Sequence, residues 1–375
     1  MTMRNLSVFA ILLLLSQPAH ADLERGIAAY ERGDLATALN ELSSLAESGD
    51  PTAQFYLGLA YADGAQKDPR KAAQWLYRAA ERGYVQAEYA LGRLYAETDG
   101  YMQDFAEAAR WFRRAAMRGI LGARNRLGLA YEKGWGVEQN YTEAANHYRQ
   151  AAAQSYSYAA FNLANLYLRG LGVTEDPLVA ARWLRVAAEQ EHHEAQLALA
   201  RMLADGFGVP QDHIQSVRWL QLAAEGGLLE AQNELGLAYQ SGRGVPQDNA
   251  KAIHWFRLAA EQGHSYACFN IGTAFADGVG TAANPTEAAK WLHCAADKWH
   301  ADAQYRLGLL YADEHGDTRD HVQAYMWLSL AMEGLPAGND QDQAAARRKS
   351  LAETMDDTEI ARAQDLARRW MPSRD

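Results

Sequence analysis

A surplus of basic residues, a long apolar run and frequent proline are all missing from this chain. Lysine and arginine number 36 against 47 aspartates and glutamates, so the net charge is −11. Nucleic acids and anionic membranes both select basic surfaces, and the charge therefore argues against both as partners. The apolar stretch from Leu6 to Leu15 is too short to span a bilayer. Only 9 prolines interrupt a chain rich in alanine and glycine, which indicates packed helices joined by short glycine turns.

The motifs of common catalytic and metal sites are absent from the sequence as well. There is no H-E-x-x-H, no G-x-S-x-G and no cysteine–histidine cluster with zinc spacing. Paired glycines do occur, as in Gly134-Trp135-Gly136. They follow a helical pattern and no Lys-Ser or Lys-Thr comes after them, which disfavours a phosphate-binding loop. The sequence therefore predicts a protein that is not an enzyme, with no metal site and no cofactor.

The N-terminus has the three parts of a secretory signal. Arg4 supplies a positive charge, the stretch from Leu6 to Leu15 an apolar segment, and Ala19-His20-Ala21 a cleavage site. The sequence thus predicts that residues 1–21 are removed and that the mature chain begins at Asp22. We expect a periplasmic protein, with secretion from the cell as the alternative.

A repeat of 36 residues organises most of the chain. Within each unit, Ala, Leu or Ile, and mostly Tyr follow one another at intervals of four, as in Ala123, Leu127 and Tyr131. This spacing places them on one face of a helix, which we call helix A. A second helix, helix B, follows with the pattern A-x-x-W-x-x-x-A-A. Its tryptophan recurs at multiples of 36, with His147 filling one gap: Trp75, Trp111, Trp183, Trp219, Trp255, Trp291 and Trp327.

The start of helix B is marked in every unit. Pro69, Pro177 and Pro285 suit a first helical position. Glycines in the loops between helices A and B, such as Gly170 and Gly172, are expected to adopt left-handed conformations. An aspartate or asparagine stands seven residues before each tryptophan position, as expected of a residue that caps a helix N-terminus: Asp68, Asp104, Asn140, Asp176, Asp212, Asp248, Asn284 and Asp320.

The recurring motif A-x-x-x-L-G-x-x-Y-x-x-G-x-G-V-x-x-D-x-x-x-A-x-x-W-x-x-x-A-A resembles the Sel1-like repeat, a relative of the tetratricopeptide repeat. The resemblance covers about residues 50–335 in about eight units. It implies an all-α fold, a right-handed superhelical solenoid of stacked antiparallel helix pairs. Residues 22–49 resemble a tetratricopeptide helix pair, and residues 336–375 resemble the C-terminal capping helices of bacterial Sel1-like proteins.

The resemblance also implies a function. Exported bacterial members of this kind are expected to act as non-enzymatic scaffolds in the cell envelope and to bind peptides or proteins on the concave face lined by the A helices. A secreted factor acting on host proteins is the main alternative. A weak β-lactamase-like hydrolase is the third, since cysteine-rich relatives have been associated with that activity, but this chain lacks their cysteine pattern.

Two columns of helix A residues are the candidate partner-binding surface. Rings would supply contact area, amides would hold a peptide backbone and arginines would anchor it. The alternative is that the rings only stack between neighbouring A helices. The first column is Phe55, Tyr89, Asn125, Phe161, Leu197, Asn233, Phe269 and Tyr305, and the second is Leu59, Arg93, Leu129, Asn165, Arg201, Leu237, Thr273 and Leu309. The candidate contacts among them are the aromatic rings, the asparagines and the arginines.

Cys268 and Cys294 are the only cysteines. An even count in an exported protein allows a disulfide. Relatives with a cysteine at the position of Cys268 carry its partner eight residues earlier, where this chain has Ala260. The sequence therefore favours two separate buried thiols over a bridge between Cys268 and Cys294.

Overall fold

The computed structural model describes residues 20–63, 67–98, 103–313 and 318–370, and every regular element within those ranges is an α-helix. The all-α repeat fold is thereby confirmed. Most of the expected signal peptide, residues 1–19, lies outside the described residues. The chain forms two compact units, Met1–Gln190 and Glu191–Asp375, and in each of them successive helices pack against one another.

The first unit contains an N-terminal helix pair and four repeats, each consisting of a helix A and a helix B. The pair is α1 (residues 20–31) and α2 (Leu35–Ser48). The repeats are α3 (Pro51–Ala62) with α4 (Pro69–Glu81), α5 (Val85–Glu97) with α6 (Phe105–Met117), α7 (Leu121–Lys133) with α8 (Tyr141–Ala152), and α9 (Ser157–Arg169) with α10 (Pro177–Ala188).

The second unit contains four repeats and two further helices. The repeats are α11 (His193–Asp205) with α12 (His213–Glu225), α13 (Leu229–Ser241) with α14 (Asn249–Ala260), α15 (Ser265–Asp277) with α16 (Pro285–Ala296), and α17 (Ala301–Tyr311) with α18 (His321–Gly334). The last helices, α19 (Asn339–Ala352) and α20 (Asp357–Arg369), both pack on α18. Trp370, which follows α20, meets the ring of Trp327 with 5.8 Å between centroids.

The predicted helix boundaries are confirmed. Each expected N-cap side chain accepts a backbone N–H of helix B, as when Asp176 accepts from Val179 at 3.0 Å. The three prolines occupy the first helical turn. Gly170, which ends α9, has a φ of 63°, in the left-handed region that favours glycine.

The core differs from expectation in one column. Trp219 and the tryptophans at 75, 183 and 255 are only half-buried. The residue that follows the tryptophan position points deepest into each repeat; Tyr148 and Leu184 are 0% exposed and Phe256 is 1% exposed. The recurrence of tryptophan in helix B predicts that this residue supplies the bulk of every repeat, and that prediction is wrong for four of the seven tryptophans.

The small residue in the middle of helix A makes room for that deepest side chain. A Cβ built on Gly128 would lie 2.7 Å from the Tyr148 ring, and one on Gly236 would lie 2.5 Å from the Phe256 ring. Glycine is therefore required where helix B supplies an aromatic ring. Ala164, by contrast, stands at this position in the repeat whose deepest residue is a leucine.

A second column links several A helices to the helix that precedes each of them. Glutamine side chains in helix A donate to the carbonyl oxygen eight residues earlier. That carbonyl lies at the end of the preceding helix, where the last carbonyl groups have no backbone N–H partner within the helix. The donor–acceptor distances are 2.9 Å from Gln54 to Ala46, 3.1 Å from Gln232 to Ala224 and 3.4 Å from Gln304 to Ala296. Arg124 does the same toward Ala116 at 2.7 Å.

The two cysteines occupy different columns but are bonded to each other. Cys268 of α15 and Cys294 of α16 form a disulfide, with their Cα atoms 5.8 Å apart. The interpretation as two separate thiols is therefore wrong. Spacing along the chain does not show that helices A and B of one repeat bring these two positions face to face.

Histidine caps three of the A helices in the second unit. Backbone N–H groups of Ala195, Ala267 and Ala303 donate to ring Nδ1 at 3.2–3.4 Å. Burial lowers the pKa of each capping histidine below its ordinary value, and nearby carboxylates oppose this only in part. The capping residues are His192, His264 and His300.

We expect these caps to make the second unit sensitive to acid. Because the folded-state pKa values are lowered, the contribution is fully present above the unfolded value near 6.5 and is lost as the pH falls below it. A protonated Nδ1 can no longer accept, and its charge opposes the helix dipole. Urea unfolding between pH 7.5 and 5 should show this decline. Replacing all three histidines by asparagine, a cap that does not titrate in this range, should flatten the profile; an unchanged profile would assign the decline to other groups.

Candidate functional site

Helices A of the first unit border a groove of about 520 Å³. It lies between α3 and α5, with Tyr30 of α1 at one end, and its lining includes Leu59, Asp63, Arg93 and Glu97. Tyr30 donates its hydroxyl to Asp63 at 2.7 Å. Burial and this carboxylate together raise the pKa of Tyr30, so the phenol stays protonated and acts as a donor.

The second unit has a groove of about 550 Å³ bordered by α11, α12 and α13. Arg201 lies on one wall and donates from Nε to Glu234 of the next helix A at 2.8 Å. His213, Leu237 and Arg243 also line it, together with the apolar Val217 and Leu220 and with small and polar residues. Leu237 is 39% exposed, so the groove offers an apolar contact beside charges of both signs.

The rings of the first predicted column make contacts within the protein. Phe55 lies against Tyr84, with centroids 4.8 Å apart, and Phe269 stacks on His300 at 4.6 Å. Tyr89 approaches Phe112 at 6.0 Å, and the Tyr305 hydroxyl donates to Gln343 at 3.0 Å. Phe161 is half-buried. These contacts are those expected of rings that stack between neighbouring helices, although the rings remain partly accessible.

The asparagines of that column form hydrogen bonds between consecutive A helices. Asn125 accepts from Asn162 at 3.0 Å and is 8% exposed. Asn233 accepts from Asn270 at 2.9 Å and is 7% exposed. Their side-chain carbonyls are therefore already occupied by neighbouring repeats.

The second column supplies the grooves. Arg93 lines the groove of the first unit, where it donates to Glu97 at 2.9 Å, and Arg201 lines that of the second. Asn165 is half-buried and lines neither groove. Sequence reasoning placed Leu237 in the same column as Arg201, and Leu237 lines the groove of the second unit. It missed Tyr30, Asp63 and Glu234.

The side chains that line the two grooves can form ion pairs, hydrogen bonds and apolar contacts. No group of three potential ligands could hold a metal ion within the described ranges. None of the described helices has the length and apolar character required to cross a membrane.

Comparison with family models identifies the repeat. The Sel1 repeat model matches residues 51–84, 85–120, 122–156, 157–192, 193–228, 229–264, 265–298 and 301–334. The chain belongs to the Sel1 repeat family. Sel1 repeat proteins are generally scaffolds for protein interaction and are generally non-catalytic.

Solved structures support the same assignment. One is a protective antigen of uropathogenic Escherichia coli strains that displays an SLR fold, and it is 32% identical to this Sel1 repeat protein. The match covers 87% of this chain and 70% of the antigen, with a TM-score of 0.76. A Sel1 repeat protein from Oxalobacter formigenes is 31% identical, covers 62% of this chain over 95% of its own, and gives a TM-score of 0.53.

A curated relative matches over a shorter stretch. An F-box protein of Arabidopsis thaliana is 38% identical over 71 residues, which are 19% of this chain and 20% of the relative. The chain thus spans about a fifth of the length of the curated relative it matches. That similarity is between repeats, and it does not extend to the activity of the whole F-box protein.

Proposed function

We propose that this Sel1 repeat protein is an exported interaction scaffold of the bacterial cell envelope that binds peptide or protein segments along its A helices. The observation that carries the proposal is the groove beside Arg201. There an exposed arginine, a carboxylate and Leu237 lie together on the A helices of consecutive repeats. Extended concave surfaces of this kind are what solenoid proteins use for recognition.

The groove suits a segment that carries both a charge and an apolar side chain. Arg201 is bonded to Glu234, and about half of its side chain is exposed. An incoming carboxylate can therefore share the guanidinium, which has five donors, while an aliphatic side chain covers Leu237. Such surface ion pairs contribute little to stability, and reorganising this one costs little.

Site-specific crosslinking tests this proposal. We expect a photoreactive residue at position 237 to give a discrete crosslinked product in the producing cell, and Arg201→Ala to reduce its yield. The matched control is position 222 in α12, where Leu222 is 46% exposed but belongs to a helix B. Equal products from both positions, or none from 237, would contradict binding along the A helices.

Export is the second part of the proposal, and it rests on the N-terminal sequence. We expect the mature protein to begin at Asp22 and to be recovered from the periplasmic fraction. N-terminal sequencing of the protein from the producing cell measures this, and an intact Met1 would refute export. Recovery from the culture medium would instead favour the secreted alternative.

A further inference from the structure

Four arginines of the first unit stand where the other repeats carry different chemistry. We call them the arginine patch: Arg78 and Arg82 stand three and seven residues after Trp75, and Arg114 and Arg118 stand three and seven residues after Trp111. The first of each pair lies in α4 or α6, and the second directly follows that helix. Among the twelve corresponding positions of the other six repeats, only Lys298 is basic. The residues three positions after the tryptophan column are Gln150, Val186, Leu222, Leu258, Cys294 and Leu330, and those seven positions after it are Gln154, Gln190, Gly226, Gln262, Lys298 and Gly334. The patch is therefore a local departure from the repeat pattern, and the packing of the repeats does not require arginine at these positions.

Aromatic rings support two of these arginines. The guanidinium of Arg78 lies over the Trp75 ring, and that of Arg114 lies over the Trp111 ring, both 4.6 Å from the centroid. Such cation–π contacts orient the planar group while leaving its edges available.

A buried carboxylate holds the other side of the patch. Glu88 is 1% exposed, and its Oε1 lies 3.2 Å from Arg114 Nη2 and 3.5 Å from Arg118 Nη1. Arg118 also donates to the Gly83 carbonyl at 3.1 Å. Glu88 occupies the column in which Gln54 bonds to a backbone carbonyl, so its charge is another departure from the pattern. Because both pair with the buried Glu88, the guanidinium groups of Arg114 and Arg118 are pre-organised at the surface.

Positive charge exceeds negative charge at this surface. Glu81 lies 3.3 Å from Arg114, and Glu47, Glu81 and Glu88 together give three carboxylates for four arginines. Arg78 and Arg82 have no carboxylate within ion-pair distance among the described residues. Both line an open hollow of about 450 Å³ whose rim also includes Glu47.

Exposed apolar side chains accompany the arginines. Tyr77 is 51% exposed and lines the same hollow, and Met117 is 72% exposed. In six of the eight repeats the position of Met117 holds an acidic residue, as at Glu81 and Glu189. Tyrosine, methionine and arginine are the residue types enriched in protein interfaces.

We propose that the arginine patch is a docking surface for an acidic segment of a partner protein, one that carries carboxylates spaced around an apolar side chain. The carboxylates bind the guanidinium edges, and the apolar side chain covers Tyr77 or Met117. The four arginines lie in or just after B helices, and none of them lines the grooves beside Arg93 and Arg201. An extended anionic surface, by contrast, would meet the whole chain and its charge of −11. A short segment responds mainly to charges within about 8 Å at physiological ionic strength.

The test measures binding of a fluorescent peptide, (Glu-Glu-Leu)5, to the full mature protein by anisotropy. We expect it to bind at least tenfold more tightly than (Gln-Gln-Leu)5 and to weaken as salt is raised. Arg114→Gln with Arg118→Gln, made together with Glu88→Gln so that no buried carboxylate loses its partners, should weaken binding by at least tenfold, since truncating interface anchors has effects of this size. The matched control is Arg182→Gln with Arg185→Gln, two exposed arginines of α10 in the same unit, which should leave binding unchanged.

Glu88→Gln tests the positioning role without removing an arginine. Glutamine stands at this position in four of the other seven repeats, so the melting temperature should stay near that of wild type. Binding should weaken by about fivefold, because the two side chains must then be ordered by the ligand, while its salt dependence is retained. Equal affinity for both peptides, or unchanged affinity in the Arg114/Arg118 variant, would overturn the proposal. So would binding to phosphatidylglycerol vesicles or to polygalacturonate in the absence of binding to the acidic peptide.

Discussion

Replacing Gly236 by alanine should lower the free energy of unfolding by about 2 kcal/mol. The new Cβ would lie 2.5 Å from Phe256 Cε1 and 2.6 Å from Cδ1. Phe256 is 1% exposed, so its ring has no solvent to move into. Forcing a methyl group into such a core costs about 3 kcal/mol, and the better helix propensity of alanine returns about 1 kcal/mol. Urea denaturation of the full chain measures the difference.

The chain itself suggests the rescue. Ala200 stands in the column of Gly236, and its repeat carries Leu220 in the column of Phe256. The double change Gly236→Ala with Phe256→Leu should therefore recover part of the loss, and the two single effects should not add. Additive single effects would show that the ring is not the obstacle to the methyl group.

Much of the fold could be predicted because its signals are local. The caps at Asp176 and its counterparts, the prolines in the first turn and the left-handed glycines each depend on a few adjacent residues, and all were found as expected. The depth of Tyr148 could not be predicted in this way. Periodicity assigns residues to a helix face, but which residue of that face reaches the middle of the repeat depends on how closely the two helices approach. That distance is set by the glycine or alanine of the facing helix.

The candidate site was only partly predictable, for a related reason. Column analysis placed Arg93 and Arg201 on the A helices, and both line grooves. It did not show that Asn125 is occupied by Asn162 of the next A helix, because a hydrogen bond across repeats needs the lateral offset between helices. The partners of Glu88 were missed for the same reason, since they lie 26 and 30 residues further along the chain.

Reduction of the Cys268–Cys294 disulfide should lower the free energy of unfolding by about 3 kcal/mol. The bridge closes a loop with a sequence separation of 26, and constraining a loop of that length in the unfolded chain gives a stabilisation of this size. Repeats couple mainly to their neighbours. The loss should therefore be concentrated in α15 and α16, where hydrogen exchange should accelerate on adding dithiothreitol, while α3 and α4 should change little.

A variant built from the residues of the other repeats separates the bridge from the packing around it. Gln232 occupies the column of Cys268, and Leu258 occupies that of Cys294. In Cys268→Gln with Cys294→Leu, the amide can donate to the carbonyl of Ala260 as Gln232 does to Ala224, and leucine fills the space beside helix A. We expect this variant to be insensitive to dithiothreitol, with a stability between those of the oxidised and reduced wild type. Alkylation and mass spectrometry of the non-reduced wild-type protein complete the test: two freely alkylated thiols, together with melting that dithiothreitol does not change, would show that the bridge does not form.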